Sequence, residues 1–243
     1  MISRIDNPSL NCPARKIKRF CVFEDLHTLD YTEALNLQVS TREKLLKDPA
    51  RPDRVFFVQH PPVYTLGKRG GEENLVVSKD VLKKKGISIV QTDRGGNITY
   101  HGPGQAVLYP IVNLERARIG VADFVFGLEE IMKQTAAKYH IIADRDSKNH
   151  GLWVGQEKIG SVGLSIKKGI SIHGLAMNIV PDLAPFTWIN PCGLENTAMT
   201  SIQNELKKKA QSCPDPSMDQ IRDTFFNCFC DIFNYTSMEE NND

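Results

Sequence analysis

GLWVGQEKIGSVGLSIKKGISIHGLAMNIV, residues 151 to 180, sets short apolar and β-branched segments between Gly-Gln and Lys-Lys-Gly turns. Turn residues at that spacing reverse the chain between extended segments, so the stretch reads as an antiparallel meander. Upstream, RVFFVQH (Arg54 to His60) ends at Pro61-Pro62, and GISIVQT (Gly86 to Thr92) and AVLYPIVNL (Ala106 to Leu114) are further β-branched runs bounded by Gly or Pro. All three read as strands. Between the strands lie two helical patterns. DYTEALNLQVSTREKLLK (Asp30 to Lys47) opens with Asp30 and Glu33 at capping-box spacing, and from Ala122 to His140 the residues Phe124, Leu128, Ile131 and Thr135 recur at three- and four-residue steps. After a polar, proline-closed connector (Lys207 to Pro216), Ile221, Phe225, Phe229 and Ile232 mark a last amphipathic helix. Strands, helices and more strands in this order give an α+β class of mixed β-sheets with flanking helices. The expected organisation is an N-terminal extension (1–19), one principal domain (20–206), and a connector with a C-terminal helix (207–243).

Composition narrows the function. The 243 residues carry 30 Lys and Arg against 29 Asp and Glu, a formal charge of +1, which supplies no field for gripping a polyphosphate backbone. Nucleic acid is therefore not an expected partner. The stretch free of charged residues from Gly95 to Leu114 is broken by HGPG, Asn97, Gln105, Pro110 and Asn113, so it is no bilayer helix, and no membrane association is expected. MISRIDNPSLNCPARKIKRF lacks an apolar core of the secretory kind; the expected location is cytoplasmic, or organellar in a eukaryotic source. The six cysteines form no CxxC pair and have no histidine at zinc-finger spacing, so neither a metal nor a disulfide framework is expected.

Four segments carry chemistry. In RGGNITYHGPGQ (Arg94 to Gln105) the glycines let backbone approach a ligand closely, and Arg94 offers a planar fork for an anion or carbonyl; the alternative is a turn that merely joins two strands. Its spacing is neither that of a P-loop nor that of a dinucleotide fold. In EKIGSVG, Lys158 is a solvated charge on an outer strand face, or, pointing inward, a desolvated proton carrier. In SIHGLAMNIV, His173 enters an apolar run either as a hydrogen-bonded core residue or as a catalyst. In FTWINPCGLENTAMTSI, Cys192 sits between Pro191 and Gly193 ahead of a helix expected to begin near Glu195 or Asn196, where the positive end of a helix dipole favours thiolate; a buried structural thiol is the alternative. Cys228 and Cys230 fall in the phenylalanine-rich terminal helix and read as packing.

Taken in order, RGGNITYHGPGQAVLYPI, EKIGSVGLSIKKG, HGLAMNI and INPCGL resemble the signature stretches of the octanoyltransferases of lipoate biosynthesis, and QHPPVYTLGKRG (Gln59 to Gly70) is similar to that family's earlier strand and turn. The resemblance runs from Leu26 to Ile202. It implies the fold shared with biotin and lipoate protein ligases. It also implies an acyltransferase in which Cys192 carries the acyl group and Lys158 adjusts its protonation. The acyl pocket it implies is lined by Arg94, Gly95, Gly96, Asn97, Ile98, Thr99, Tyr100 and His101, by Ser161, Val162 and Gly163, and by Gly174, Leu175 and Ala176. The implied donor is octanoyl-acyl carrier protein. The implied acceptors are lipoyl domains of 2-oxoacid dehydrogenase E2 subunits and the glycine cleavage H protein, and no cofactor is implied. Two rivals share these features: an ATP-dependent lipoate or octanoate ligase of the same fold, and a non-catalytic module that binds lipoyl domains. A cysteine hydrolase using His101 or His173 is a third.

Overall fold

The computed structural model describes residues 19–146, 149–190, 198–209 and 216–238. In chain order these form β1 (Arg19–Thr28), α1 (Tyr31–Lys47), β2 (Asp53–Gln59), β3 (Val63–Leu66), α2 (Lys79–Lys84), β4 (Ser88–Gln91), β5 (Ile98–His101) and β6 (Gln105–Ile111). There follow α3 (Leu114–Ala117), α4 (Val121–Lys138), β7 (Leu152–Val154), β8 (Glu157–Lys167), β9 (Ile170–Asn178), α5 (Ile202–Lys208), α6 (Met218–Phe233) and β10 (Tyr235–Met238). The strands make a seven-stranded sheet in the order β10-β1-β2-β6-β9-β8-β7 and a three-stranded sheet in the order β4-β3-β5. β1 runs parallel to β2 and β10, and β3 to β4, while the other pairs are antiparallel. The α+β reading with mixed sheets holds, and β7, β8 and β9 are the expected meander.

Local chemistry sets the helices. The Asp30 carboxylate accepts from the backbone N–H of Thr32 and Glu33, satisfying donors that the first turn of α1 leaves without partners. The central strands of the large sheet are buried on both faces, which explains their unbroken apolar runs. Alternation along β2 sends Val55 and Phe57 to one face and Phe56 and Val58 to the other. On the first face Phe124, Leu128 and Ile131 of α4 pack with Phe225 and Phe229 of α6; on the second, Ala34 and Leu45 of α1 cover the sheet. The small sheet has its own core, with Tyr64, Ile98, Tyr100 and Phe186.

The stretch read as a connector and C-terminal helix enters this core. Phe225 and Phe229 are fully buried, each contributing about 1.5–3 kcal/mol. β10 then extends the sheet along β1, pinned by the Tyr235 hydroxyl donating to the buried Asp53 carboxylate at 2.6 Å. β10 is an edge strand completed by β1, and β1 lies between β10 and β2, so both are fixed by pairing with distant strands rather than by a local sequence signal. Among the described residues no helix is long and apolar enough to cross a membrane.

Candidate active site

The Gly-rich segment closes the space between the two sheets. Its backbone is bonded on one side to the turn after β3, with Gly67 N–H donating to Asn97 O, Lys68 N–H to Arg94 O and Arg69 N–H to Gly96 O, at 2.9 to 3.1 Å. On the other side Gly95 N–H donates to Leu164 O of β8 at 2.8 Å. The Arg94 guanidinium donates to the Thr65 hydroxyl and carbonyl and to Gly95 O, so its fork holds β3 and the segment together.

Beneath this wall lies a cavity of about 570 Å³. Residues 94–99 and His101 line it from the Gly-rich side, with Ser161, Val162 and Gly163 from β8 and Gly174, Leu175 and Ala176 from β9. Three of the segments singled out in the sequence thus meet in one place. Tyr100 is an exception and does not line the cavity: alternation along β5 gives Thr99 and His101 to the cavity and turns Tyr100 into the small core, with ring centroids 5.6 Å from Tyr64 and 5.4 Å from Phe186. The sequence reading missed Tyr31, Tyr109, Val121, Val125, Leu164 and Ile166, which also line the cavity. A signal existed for Val162, Leu164 and Ile166, which alternate on one face of β8, and for Val121 and Val125, one helical turn apart. Tyr31 and Tyr109 had none: Tyr109 in its apolar run reads as core, and Tyr31 reads as the first residue of a surface helix.

Lys158, the second residue of β8, points inward and lines the same cavity, with only 2% of its surface exposed. Its Nζ lies 5.2 Å from the ring centroid of Trp153. The Lys158 N–H donates to Ala198 O at 2.9 Å and its carbonyl accepts from Thr200 N–H at 3.0 Å. Cys192 lies outside the described residues, as do Glu195 and Asn196; the helix expected to begin there does not run through 198–201, which carry a β-bridge from Met199 to Lys158, and the next helix is α5.

The cavity floor is a cluster of neutral rings whose protons are dictated by their partners. Leu29 O can only accept, so His60 carries its proton on Nδ1, and its bare Nε2 accepts from the Tyr109 hydroxyl at 2.8 Å. Thr200 O accepts from Asn178 Nδ2, Asn178 Oδ1 from Gln105 Nε2, and Gln105 Oε1 from His101 Nδ1–H at 2.6 Å. Each amide orientation in that chain follows from the carbonyl at its end. Burial pushes His60 down to about 4 and His101 down to about 3, and pushes the Tyr31 hydroxyl up to about 12.

His173 takes a left-handed backbone (φ +59°), with its N–H donating to Gln38 Oε1 of α1 rather than continuing the regular strand. Its Nε2–H donates to Asp93 Oδ1 at 2.8 Å and its Nδ1 accepts from the Tyr31 hydroxyl at 3.4 Å. His173 lines the cavity, but both its ring nitrogens are hydrogen-bonded and burial lowers its pKa, so it matches the hydrogen-bonded histidine of the two readings.

The family model of the lipoyl protein ligase A/B catalytic domain matches residues 30–230. An octanoyltransferase of Desulfotalea psychrophila is 50% identical over 155 residues, 63% of this chain and 70% of that protein. One of Maridesulfovibrio salexigens is 38% identical over 216 residues, 89% of this chain and 98% of that protein. A mitochondrial octanoyltransferase of Arabidopsis thaliana is 39% identical over 214 residues, covering 86% and 87%. Among solved structures, a lipoate protein ligase of Thermoplasma acidophilum, described as putative, aligns with a TM-score of 0.67 at 15% identity, covering 92% of this chain and 88% of that one. A biotin protein ligase of Aquifex aeolicus aligns with a TM-score of 0.52 at 10% identity, covering 88% and 70%. At such identities the structural likeness establishes the fold alone, whereas the family rests on the family model and the sequence relatives. The chain belongs to the octanoyltransferases of lipoate biosynthesis, acyltransferases built on the lipoyl protein ligase A/B catalytic domain.

Proposed function

We propose that the chain transfers an octanoyl group from octanoyl-acyl carrier protein to a lysine of lipoyl-accepting domains through a thioester on Cys192. The acceptors are lipoyl domains of 2-oxoacid dehydrogenase E2 subunits and the glycine cleavage H protein. The observation that carries this reading is Lys158: a buried amine side chain lining the cavity, its backbone bonded to Ala198 and Thr200, on the chain that follows Cys192.

In the first step the Cys192 thiolate adds to the thioester carbonyl of the donor, and collapse of the tetrahedral intermediate expels the carrier thiolate, which takes a proton from Lys158. The oxyanion is held by backbone N–H groups of the Ser161–Val162–Gly163 stretch and of the residues next to Cys192. In the second step neutral Lys158 accepts a proton from the attacking lysine amine of the acceptor, the C–N bond forms, and Cys192 leaves as thiolate. Exchange of thioester for amide drives the cycle without ATP, metal or other cofactor.

The cavity holds the acyl chain along residues 94–99 and 161–163. Burial of each methylene contributes about 0.8 kcal/mol, so a change of two carbons alters affinity about 15-fold. The exposed pairs Lys68 with Arg69, and Lys167 with Lys168, supply positive charge for an acidic carrier protein, and Arg69 also lines the cavity. The reaction belongs to a compartment that holds carrier protein and lipoyl domains together, the bacterial cytoplasm or a eukaryotic organelle.

Intact mass tests the reading. Incubation with octanoyl-carrier protein is expected to add one octanoyl group to wild type and none to Cys192→Ala, and a lipoyl domain added afterwards is expected to take that group up. An acylated Cys192→Ala overturns the nucleophile. Acceptor modification from free octanoate and ATP identifies the ligase reading instead, and acceptor binding with no transfer identifies a binding module.

A further inference from the structure

Asp93 stands immediately before the Gly-rich wall and joins it to two strands of the meander, β8 and β9. Its Oδ1 accepts from His173 Nε2–H of β9 at 2.8 Å and its Oδ2 from the Ser165 hydroxyl of β8 at 2.7 Å. The bond from His173 holds the Asp93 carboxyl well below the usual carboxylate range, with the Ser165 bond acting in the same sense. His173 reaches Asp93 from a left-handed backbone, a conformation a non-glycine residue keeps only where its surroundings over-determine it. Those surroundings are the Gln38 amide on its N–H, the Tyr31 hydroxyl on Nδ1 and the Asp93 carboxylate on Nε2. None of these contacts touches Lys158, and an Asp–His pair with both imidazole nitrogens occupied is not arranged to move a proton in the cavity.

We propose that Asp93 is a positioning residue for chain-length discrimination: with Ser165 and His173 it latches the Gly-rich wall onto β8 and β9 and so sets the width of the acyl slot. This inference rests on the acyl-transfer reading above. The wall from Arg94 to Ile98 crosses β8 so closely that a Cβ on Gly163 would lie 3.3 Å from Gly95 O, and release of the latch lets that wall lift. A long acyl chain loses contact along the wall; a short one, held near Lys158, does not. Asparagine at position 93 keeps the latch, since its Oδ1 accepts from Nε2–H and its amide donates to the Ser165 oxygen.

The test uses the full chain with butanoyl and octanoyl thioester donors, together with amide hydrogen exchange at residues 94–97. Asp93→Ala is expected to raise KM for the octanoyl donor about tenfold, the loss of a charge-assisted hydrogen bond, with kcat and the butanoyl KM changed less than about threefold. Exchange at residues 94–97 is expected to accelerate, and Asp93→Asn is expected to restore both readouts. If Asp93→Ala does not fold, Ser165→Ala reads the same latch, with a smaller rise confined to the octanoyl donor. Equal KM rises for both donors, or an Asp93→Asn variant as impaired as Asp93→Ala, overturn the proposal, the latter assigning Asp93 a role through its charge. Wild type that transfers no acyl group overturns the transfer reading alone. The latch is then read from exchange, where equal rates in wild type and Asp93→Ala overturn it.

Discussion

Lys158 and Ala198 are tied backbone to backbone: the lysine N–H donates to the alanine carbonyl at 2.9 Å, and the lysine carbonyl accepts from Thr200 two residues on. The buried lysine and the chain that follows Cys192 are therefore set in one register, and Asn178, donating to Thr200 O, links that register to the cavity floor.

Lys158→Arg is expected to be nearly as damaging as Lys158→Ala. Arginine keeps the charge but not the ability to cycle a proton, and its longer fork does not fit a site with 2% exposure. Loss of a proton carrier predicts a fall in kcat of about 100-fold or more for both variants. Recovery of most of the rate by arginine would show that position 158 acts through charge alone.

Gly151 decides where the lysine side chain can lie. At φ +128° it adopts a conformation open to glycine, and a Cβ there would stand 2.3 Å from Gly160 O and 2.8 Å from Lys158 Cε. Gly151→Ala is expected to displace the lysine and lower kcat about 100-fold, as a displacement of about 1 Å does at a reacting centre, while destabilising the fold by about 1–3 kcal/mol. Transfer rates beside a thermal melt separate the two effects.

Gly96 is the second backbone position that matters, with φ +89° in the cavity wall. Gly96→Val places a β-branched residue in that conformation and is expected to distort the wall, with a steeper loss for octanoyl than for butanoyl donors. Gly95→Ala, whose Cβ meets only Leu164 O at 3.5 Å, is the control expected to retain transfer. Rates across donor lengths decide. An equal loss at every length would take the segment out of acyl binding.

Acid is expected to weaken the fold through the cavity floor. His60 and His101 stay neutral when folded, pushed down by burial to about 4 and about 3, whereas the unfolded chain takes up their protons near pH 6.5. Their contribution is complete above pH 6.5 and is lost as pH falls toward 4, because below 6.5 the unfolded state binds more protons. Each histidine changes stability by about 1.4 kcal/mol per pH unit in that window, so denaturant unfolding at pH 7 and pH 5 is expected to differ by about 2–4 kcal/mol. A flat profile would mean that the floor takes up protons in the folded state.

Much of the architecture was legible before any coordinates. The capping aspartate of α1, the amphipathic faces of α4 and α6, and the turns that fold residues 151 to 180 into a meander all depend on contacts within a few residues. Such contacts leave a periodic or compositional mark. β1 and β10 left none, because their pairing with each other joins the two ends of the described chain, and such pairing leaves no local mark. The same difference divides the site. Glycines clustered after Arg94 announced a close backbone approach, whereas the orientation of Lys158 on its strand was open from sequence.

By itself the sequence determined the class of fold and the family its motifs resemble, since these depend on residue types at fixed local spacing. Only the tertiary structure decided that Lys158 is buried, that the Arg94 fork is taken up by Thr65, that Tyr100 turns away from the cavity, and that both nitrogens of His173 are occupied. Each of those outcomes depends on which distant side chain arrives at hydrogen-bond distance or leaves room for a ring, and such meetings are set by the pairing of strands far apart in the chain.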